Sequence, residues 1–398
     1  MTIKNVKDST MDTNNSKNEH SFPLALLQNP NDCENQVSQH EIAEKEGIIR
    51  TTIKGCGINI ESIEAKPGPS FTLFKVKLSP LTRMSVISDL ANDPPLEFAS
   101  RDARINIQVE EKTICIEMPN EHQRTVFLED ALQSMPAVAP SGILPCAIGE
   151  SVDGHFFIDL AKSHHVLVAG ATGGGKSVCL HSIILSLLYS KHPDELQFVF
   201  IDPKKMELGA YNRIGNYLAE LKNTQRKVVL DTHEAMSVLD ALDAEMDDRF
   251  RLLYEANAKN IDEYNNQPGH GHLPYIVVVI DEFADLAIFE GEAFETKIRV
   301  LSSIAHQAGI HLVMATQRPT VNIITGSIKA NFPARIAFRV ADEWDSYTIL
   351  DRKGASQLHC VGDMLFSEGE SLIRLRGTFV SDDEINAVTE YISNHAPQ

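Results

Sequence analysis

The chain has 398 residues, of which 43% are hydrophobic and 23% charged, an ordinary globular composition. Its 36 Lys and Arg residues against 55 Asp and Glu residues give a formal net charge of −19, which argues against attachment to nucleic acid or membrane by overall positive charge. The six cysteines form no CxxC pair, and no apolar run approaches the ~20 residues of a membrane span, so a zinc ribbon, a disulfide framework and a transmembrane protein are not predicted. We expect a cytoplasmic protein with reduced thiols.

The first 46 residues are predicted to be a mostly disordered polar segment, because they are rich in Asn, Ser, Asp, Lys and Gln. One apolar stretch, residues 22–27, interrupts this composition. It is interpreted as a transient helix in preference to a motif that docks on a partner.

Residues 47–147 are predicted to form a small α+β domain. Residues 71–78 end in alternating apolar and Lys residues, which is typical of a half-buried strand. Residues 105–109 and 113–117 alternate in the same way, and residues 110–112 between them indicate a hairpin turn. Residues 136–145 contain three prolines and are predicted to be a linker.

From residue 148 to residue 398 the pattern predicts an α/β domain. Short runs of consecutive apolar residues alternate with helical patterns, and such runs fit parallel strands that are covered on both faces. The predicted strands are residues 166–169, 198–201, 275–280, 311–315 and 335–340. The clearest helix is residues 231–254, in which apolar residues recur at 3.6-residue spacing after Asp231 and Glu234, a pair that resembles a capping box.

A GxxxxGK[ST] motif follows the first of these strands and precedes a helical pattern, the context expected of a phosphate-binding P-loop. Glycines let backbone N–H groups converge on phosphate oxygens, and the following helix adds the positive end of its dipole. We expect Lys176 to reach the β- and γ-phosphates of ATP and the Ser177 hydroxyl to bind Mg²⁺. A glycine-rich turn without a ligand is the disfavoured alternative. The predicted nucleotide contacts are Gly170, Ala171, Thr172, Gly173, Gly174, Gly175, Lys176, Ser177 and Val178.

Two later strands end in polar residues suited to nucleotide hydrolysis. Asp281 and Glu282 follow the strand at 275–280 and resemble a Walker B pair, with Asp281 near Mg²⁺ and Glu282 polarising the attacking water. Gln317 follows the strand at 311–315 and is predicted to sense the γ-phosphate or the water. The alternatives are a solvated strand end for the acidic pair and a structural role for Gln317.

An arginine from a neighbouring subunit would neutralise charge in the transition state. Arg249 lies beside the apolar stripe of the long helix and is predicted to project from a subunit edge. Arg318 and Arg335 are rival candidates near strand ends. Each of the three has a plain surface arginine as its alternative interpretation.

With these motifs in hand, the chain resembles the motor region of the FtsK/SpoIIIE family of double-stranded DNA translocases. The resemblance extends from about residue 57 to residue 393. Besides the P-loop, it rests on short segments that occur in one order at similar spacing, namely residues 200–204, 281–286, 308–312, 315–319, 328–331, 335–338 and 362–365.

The resemblance implies an α/β fold with a RecA-like P-loop core, preceded by the smaller alpha domain of the family. It also implies that the subunits assemble as a hexameric ring and move duplex DNA with ATP and Mg²⁺. It places Lys176, Ser177, Asp281 and Glu282 on the hydrolysis motifs, Gln317 on the sensor position and Arg249 on a family arginine in the long helix. Arg318, Lys329 and Arg335 fall in segments near the pore or the subunit interface, with DNA and nucleotide roles undivided.

Three departures from the family pattern qualify this interpretation. From this sequence we expect neither the N-terminal membrane domain nor the C-terminal winged-helix domain of chromosome-segregating members. His306 also stands where the family commonly has an arginine. A ring ATPase of a secretion, conjugation or defence system, serving partner proteins, is therefore the alternative function.

Overall fold

The computed structural model describes residues 22–28, 37–79, 103–108, 113–138, 142–358 and 360–395, together with Thr82, Ser85 and Phe98. Within this part of the chain, a small antiparallel sheet precedes a large mixed sheet.

The small sheet has the order β1-β2-β4-β3, with all neighbours antiparallel. Its elements, with the helix that packs on it, are α1 (Gln39–Gly55), β1 (Ile60–Pro67), β2 (Phe71–Leu78), β3 (Arg104–Gln108) and β4 (Thr113–Pro119). The predicted alternation in β2 is confirmed, since Phe74, Val76 and Leu78 are at most 1% exposed. The predicted β3–β4 pairing is also confirmed, whereas its turn at 110–112 lies outside the described residues.

The large sheet contains the five predicted strands, which are parallel to one another in the order β12-β8-β11-β10-β9. They are β8 (Val166–Ala169), β9 (Leu196–Ile201), β10 (Tyr275–Ile280), β11 (Ile310–Thr316) and β12 (Ala334–Phe338). Beyond β12, an antiparallel extension runs β13-β14-β6-β7, and β5 pairs with β14. These further strands are β5 (Val126–Phe127), β6 (Pro145–Ser151), β7 (Gly154–Asp159), β13 (Asp363–Glu368) and β14 (Ser371–Phe379).

Helices cover both faces of the large sheet. They are α2 (Leu128–Val138), α3 (Leu160–Ser163), α4 (Lys176–Ser190), α5 (Thr232–Glu255), α6 (Ile261–Asn265), α7 (Phe283–Glu290), α8 (Glu292–Ile304), α9 (Gly326–Asn331), α10 (Glu343–Leu350) and α11 (Asp382–His395). Strand β10 shows why its sequence does not alternate: Val277 and Val279 enter one apolar core and Ile276, Val278 and Ile280 enter the other. The predicted start of α5 is confirmed, because Asp231 accepts hydrogen bonds from the backbone of His233 and Glu234.

The domain limits differ from those expected. The boundary between residues 147 and 148 falls inside β6, and β5 already pairs with the large sheet, so contacts with that sheet begin about twenty residues earlier than the expected boundary. Helix α1 likewise begins at Gln39, within the segment expected to be disordered. The linker predicted at 136–145 begins in α2 and ends in β6. Residues 1–21, 29–36 and 139–141 lie outside the described part of the chain.

The apolar stretch near the N-terminus packs on the large domain. The Phe22 ring lies 5.7 Å from that of Tyr189 and 6.1 Å from that of Tyr391, measured between ring centroids. Leu27 is 5% exposed, and the backbone N–H of Gln28 donates to Glu384 Oε1 at 2.8 Å. The stretch therefore anchors the chain to its own α4 and α11 in a short 3₁₀ turn.

A buried ionic cluster joins the small sheet to the large one. The Arg374 guanidinium donates to Glu117 Oε2 in β4 at 3.1 Å and to Asp363 Oδ2 in β13 at 2.7 Å. It also lies 4.5 Å from the centroid of the Phe71 ring. The side chains of Arg374 and Asp363 are 4% and 0% exposed, so the arginine neutralises carboxylates that water does not reach.

We expect Arg374→Met to lower the free energy of unfolding by about 3 kcal/mol, because it leaves two buried carboxylates without their main partner. Urea-induced unfolding measures the change. The matched control is Lys77→Met, which removes a pair with Glu61 from a lysine side chain that is 55% exposed, and should cost less than about 1 kcal/mol. Equal losses for the two variants would contradict a structural role for the cluster.

Candidate nucleotide-binding site

The glycine-rich loop at 170–175 joins β8 to α4. Gly170 has φ 158° and Gly175 has φ 117°. Gly175 is the N-cap residue of α4, and because it has no side chain, it does not cap the N–H groups of the first turn of that helix. A Cβ at Gly170 would lie 2.6 Å from Phe338 Cβ, so only glycine lets the loop pack against β12. The loop thus presents the N-terminal end of a 15-residue helix, which is the geometry that binds phosphate.

Polar residues that follow the parallel strands lie at one edge of the sheet, and they include the predicted Asp281 and Gln317. Parallel strands end on the same side, and Asp202, Asp281 and Gln317 follow the last residues of β9, β10 and β11 at the edge where the P-loop follows β8. Sequence positions up to 147 residues apart therefore form one cluster.

Lys176 and Asp281 form a buried ion pair in this cluster. The Lys176 ammonium donates to Asp281 Oδ1, and the two side chains are 3% and 2% exposed. Burial raises the pKa of the Asp281 carboxyl, and the charge of Lys176 opposes that effect. Lys176 therefore already neutralises one negative group, the Asp281 carboxylate, at the edge where bound phosphates would bring more negative charge.

The Glu282 carboxylate is fully buried and bonded at both oxygens. Oε1 accepts from the Thr316 hydroxyl at 2.7 Å, Oε2 accepts from Lys204 Nζ at 2.7 Å, and the Gln317 backbone N–H donates to both oxygens at 3.2 and 3.1 Å. Burial acts to raise the pKa of Glu282, but the bonds from Lys204 and Thr316 outweigh it and lower the pKa. Glu282 also has φ 53°, a left-handed conformation that is uncommon outside glycine.

Gln317 links this carboxylate to the P-loop. Its side-chain Oε1 accepts from the Thr172 hydroxyl at 2.8 Å, while its backbone N–H contacts Glu282. The placement agrees with a sensor position, because Gln317 connects Thr172 in the P-loop to Glu282. A movement of Thr172 would therefore reach Glu282 through Gln317.

The loop after β9 supplies residues to which the sequence interpretation gave no role. Asp202 accepts from the backbone N–H groups of Lys205, Glu207 and Leu208 at 2.9 to 3.1 Å, which fixes a tight turn. Interaction with His181, and to a smaller extent with Ser177, lowers the pKa of the Glu207 carboxyl. The one available signal was polar residues at the end of a buried strand between the two nucleotide motifs.

A cavity of about 460 Å³ opens beside the P-loop. Its size fits a nucleoside. It is lined by Ala171, Thr172, Gly173, Gly174, Arg339, Val340, Ala341, Ser356, Cys360 and Val361.

The donor set at this edge fits Mg²⁺ shared with phosphates rather than held by protein alone. In the described part of the chain, no group of three or more His, Cys, Asp or Glu side chains is arranged to hold a metal. Mg²⁺ usually takes one or two carboxylates plus substrate phosphates, and Asp281 with the hydroxyl of Ser177 meets that requirement.

The prediction that Arg249 projects from a subunit edge is wrong. Arg249 is 2% exposed, and its guanidinium donates to Glu245 Oε1 at 2.8 Å and to the carbonyls of Pro274 and Ala308 at 2.8 and 2.9 Å. These carbonyls precede β10 and β11, so the side chain lies at the sheet edge opposite the P-loop. The apolar stripe is wider than the sequence indicated, because the long arginine stem packs with it.

We expect Arg249→Met to lower the free energy of unfolding by about 2 to 4 kcal/mol, because two buried carbonyls lose their donor. The rate of ATP hydrolysis per folded molecule should stay within a factor of about two. Thermal melting and a hydrolysis assay check both parts. Arg251→Met is the matched control, since the Arg251 side chain is 72% exposed. A stable Arg249→Met protein without hydrolysis would reinstate a trans-acting role.

The three candidate DNA-binding residues lie in two places. Arg318 follows β11 at the P-loop edge, and its side chain is 55% exposed, 3.8 Å from Asp285. Lys329 and Arg335 both pair with Asp351, at 2.7 and 2.5 Å. Arg335 is in register with Leu167 near the start of β8, so this pair lies away from the P-loop.

His306 belongs to a group of histidines at that same distant edge. Its ring stacks on His164 with centroids 4.1 Å apart. Burial lowers the pKa of His306, and the neighbouring His164 adds to this effect. The neutral ring is thus favoured where the family pattern has an arginine.

Comparison with known proteins identifies two family domains. The FtsK/SpoIIIE family model matches residues 127–321, and the FtsK alpha domain model matches residues 22–120. The chain is 38% identical over 387 residues to DNA translocase FtsK of Chlorobaculum tepidum, covering 95% of this chain and 48% of the relative. It is 37% identical over 385 residues to DNA translocase SftA of Bacillus subtilis, covering 94% of this chain and 40% of the relative. The chain therefore spans about half the length of the curated relatives it matches, or less.

Solved structures show the same fold. The pCW3 conjugation coupling protein TcpA, in its monomer form with ATPγS, has a TM-score of 0.62 and 23% identity over 88% of this chain and 99% of that one. The cytoplasmic domain of the type VII secretion ATPase EccC of Thermomonospora curvata has a TM-score of 0.54 and 23% identity over 64% of this chain and 31% of that one. The large sheet and its helices are thus a RecA-like P-loop ATPase fold, as predicted, with a smaller domain before it. No helix in the described residues has the length and apolar character needed to span a bilayer.

Proposed function

The chain belongs to the FtsK/SpoIIIE family, and on that basis we propose that it is an ATP-hydrolysing motor that moves double-stranded DNA. The observation that carries the proposal is the convergence of Lys176, Asp281, Glu282 and Gln317 at the P-loop edge of one parallel sheet. We also propose two functional units, a small domain that ends before β5 and a motor domain that begins with it.

The P-loop and its lysine bind the triphosphate in this proposal. Backbone N–H groups of residues 170–178 surround the phosphates, and Lys176 leaves Asp281 to reach the β- and γ-phosphate oxygens. Ser177 and Asp281 would hold Mg²⁺, which supplies positive charge to the phosphates as their bond breaks. The cavity lined by Arg339 and Val361 takes the nucleoside.

Glu282 accepts the proton of the attacking water, and Gln317 reports the γ-phosphate to the rest of the protein. Thr316 and the Gln317 backbone orient the Glu282 carboxylate. Hydrogen bonds from Lys204 and Thr316 lower its pKa and keep it ionised although it is buried. The bond between Thr172 and Gln317 supplies the link from phosphate to glutamate.

Contacts with DNA are proposed for Arg318, Lys329 and Arg335. A motor needs many weak phosphate contacts that form and release, and a few basic residues lining a pore provide them despite a net charge of −19. We propose a homo-oligomeric ring of six subunits in the cytoplasm that also contacts partner proteins. Arg318 is the best placed of the three, because it is exposed beside the hydrolysis site.

The test is the rate of ATP hydrolysis by the purified chain with and without duplex DNA, together with its solution mass in ATP. The proposal predicts hydrolysis that duplex DNA stimulates severalfold, from a species about six times the mass of one chain. Hydrolysis that ignores DNA and responds to a peptide would favour the secretion-type alternative, and no hydrolysis under either condition would refute both.

A further inference from the structure

Glu282 has no oxygen open to water in the arrangement that the structure shows. The residue is 0% exposed, and each carboxylate oxygen accepts at least one short hydrogen bond from Thr316, Gln317 or Lys204. A general base must present a lone pair to the water that it deprotonates. One of these partners therefore has to withdraw before Glu282 can act in the proposed hydrolysis.

Lys204 is the partner best able to withdraw. Thr316 is the last residue of β11 and is 0% exposed, and the Gln317 donor is a backbone N–H next to it, so neither can leave without disturbing a central strand. Lys204 instead lies in the turn after β9, and its side chain is 27% exposed on a flexible four-carbon stem. Its ammonium can exchange Glu282 for solvent by side-chain rotation.

The turn that carries Lys204 is joined to the P-loop helix. Asp202 accepts hydrogen bonds from three backbone N–H groups, so residues 202–208 form one hydrogen-bonded turn. The Glu207 carboxylate of this turn lies 3.6 Å from Nε2 of His181, which belongs to the P-loop helix α4. Ser177, whose hydroxyl is proposed to bind Mg²⁺, lies four residues before His181 on the same helix, so binding of the metal and the nucleotide acts on the helix that the turn contacts.

We propose that Lys204 is a positioning residue that masks Glu282, and that filling of the P-loop site releases it through helix α4 and its contact with Glu207. This inference rests on the proposed function. It assigns to the ion pair a regulatory task, which is to prevent hydrolysis until nucleotide is seated. Through this ion pair, cleavage of ATP follows its binding.

The kinetic test is Lys204→Met in the full chain, with ATP hydrolysis measured against ATP concentration. Loss of one charge-assisted hydrogen bond should raise kcat without DNA by about fivefold and leave KM within about twofold. Lys204→Arg restores the bond and should behave as wild type. Lys205→Met is the matched control, since Lys205 is the exposed neighbour and does not contact Glu282. An unchanged or lower kcat for Lys204→Met would overturn the mask.

A second readout does not depend on turnover. Acylation of lysine amines by a reactive ester, measured by mass spectrometry, should rise at Lys204 at least threefold when Mg²⁺ and ATPγS are added, with Lys205 as the internal reference. If ATPγS binds and Lys204 reactivity stays flat or falls, the mask is refuted and the proposed function stands. If ATPγS does not bind at all, the proposed function fails and the mask fails with it.

Discussion

Glu282→Gln is expected to bind ATP with an affinity within about threefold of wild type and to hydrolyse it about 100 to 1,000 times more slowly, because the general base is lost. Gln has the same shape as Glu but is neutral and has one acceptor oxygen, so it can serve either Thr316 or Lys204 but not both. Binding depends on the P-loop, which this change leaves in place. The expected product is a protein that retains intact ATP.

Single-turnover hydrolysis and a filter-binding assay for retained ATP measure the two parts of this prediction. Glu220→Gln is the matched control, since its side chain is 74% exposed and pairs with Arg226 at the surface. That variant should hydrolyse ATP at the wild-type rate. A Glu282→Gln protein that turns over ATP within about fivefold of wild type would remove Glu282 from the reaction.

Lys176→Ala is expected to reduce ATP hydrolysis below about 1% of wild type and to weaken ATP binding by about tenfold to a hundredfold. The magnitude follows from a lost hydrogen bond to a charged phosphate, about 1.5–3 kcal/mol, at about 1.4 kcal/mol per factor of ten. The change also removes the partner of Asp281, whose pKa burial already raises. Both the phosphates and the buried carboxylate therefore lose their cation.

Fluorescent ATP binding and steady-state hydrolysis check this prediction, and melting without nucleotide separates lost binding from lost folding. Lys162→Ala is the matched control, because Lys162 lies on α3 just before β8 and its side chain is 70% exposed. If Lys176→Ala folds, binds ATP as wild type does and hydrolyses it at more than about a tenth of the normal rate, the phosphate role is wrong.

The sequence predicted the parallel strands and the P-loop edge well, because both depend on local patterns. A fully apolar run such as β10 identifies a strand covered on both faces. The parallel pairing of β8, β11 and β10 then brings the polar residues after these strands together. Asp281, Glu282 and Gln317 were therefore located from their places after strands alone.

Features that depend on contacts between distant residues were not predictable in this way. The pair between Lys204 and Glu282 joins residues 78 positions apart, and a lysine at a strand end carries no local signal of its partner. The prediction for Arg249 was wrong for a related reason. Helical spacing gives the direction of a side chain around the helix axis, but it does not reveal that the Pro274 and Ala308 carbonyls accept hydrogen bonds from this arginine.

The domain boundary was missed because a proline-rich stretch marked a turn and not the edge of a core. Pro136 lies inside α2, and Pro145 begins β6 at the antiparallel extension of the large sheet. That extension pairs strands far apart in sequence, such as β6 with β14, and such pairing leaves no periodic signature that could be distinguished from the small domain.

Displacement of a triplex-forming strand from linear duplex DNA shows whether ATP hydrolysis at this site drives the proposed movement along DNA. With Mg²⁺ and ATP, the wild-type chain should release the third strand, while the Glu282→Gln chain and the wild-type chain with ATPγS should not. If the wild-type chain hydrolyses ATP on this DNA without releasing the third strand, hydrolysis does not drive movement along the duplex.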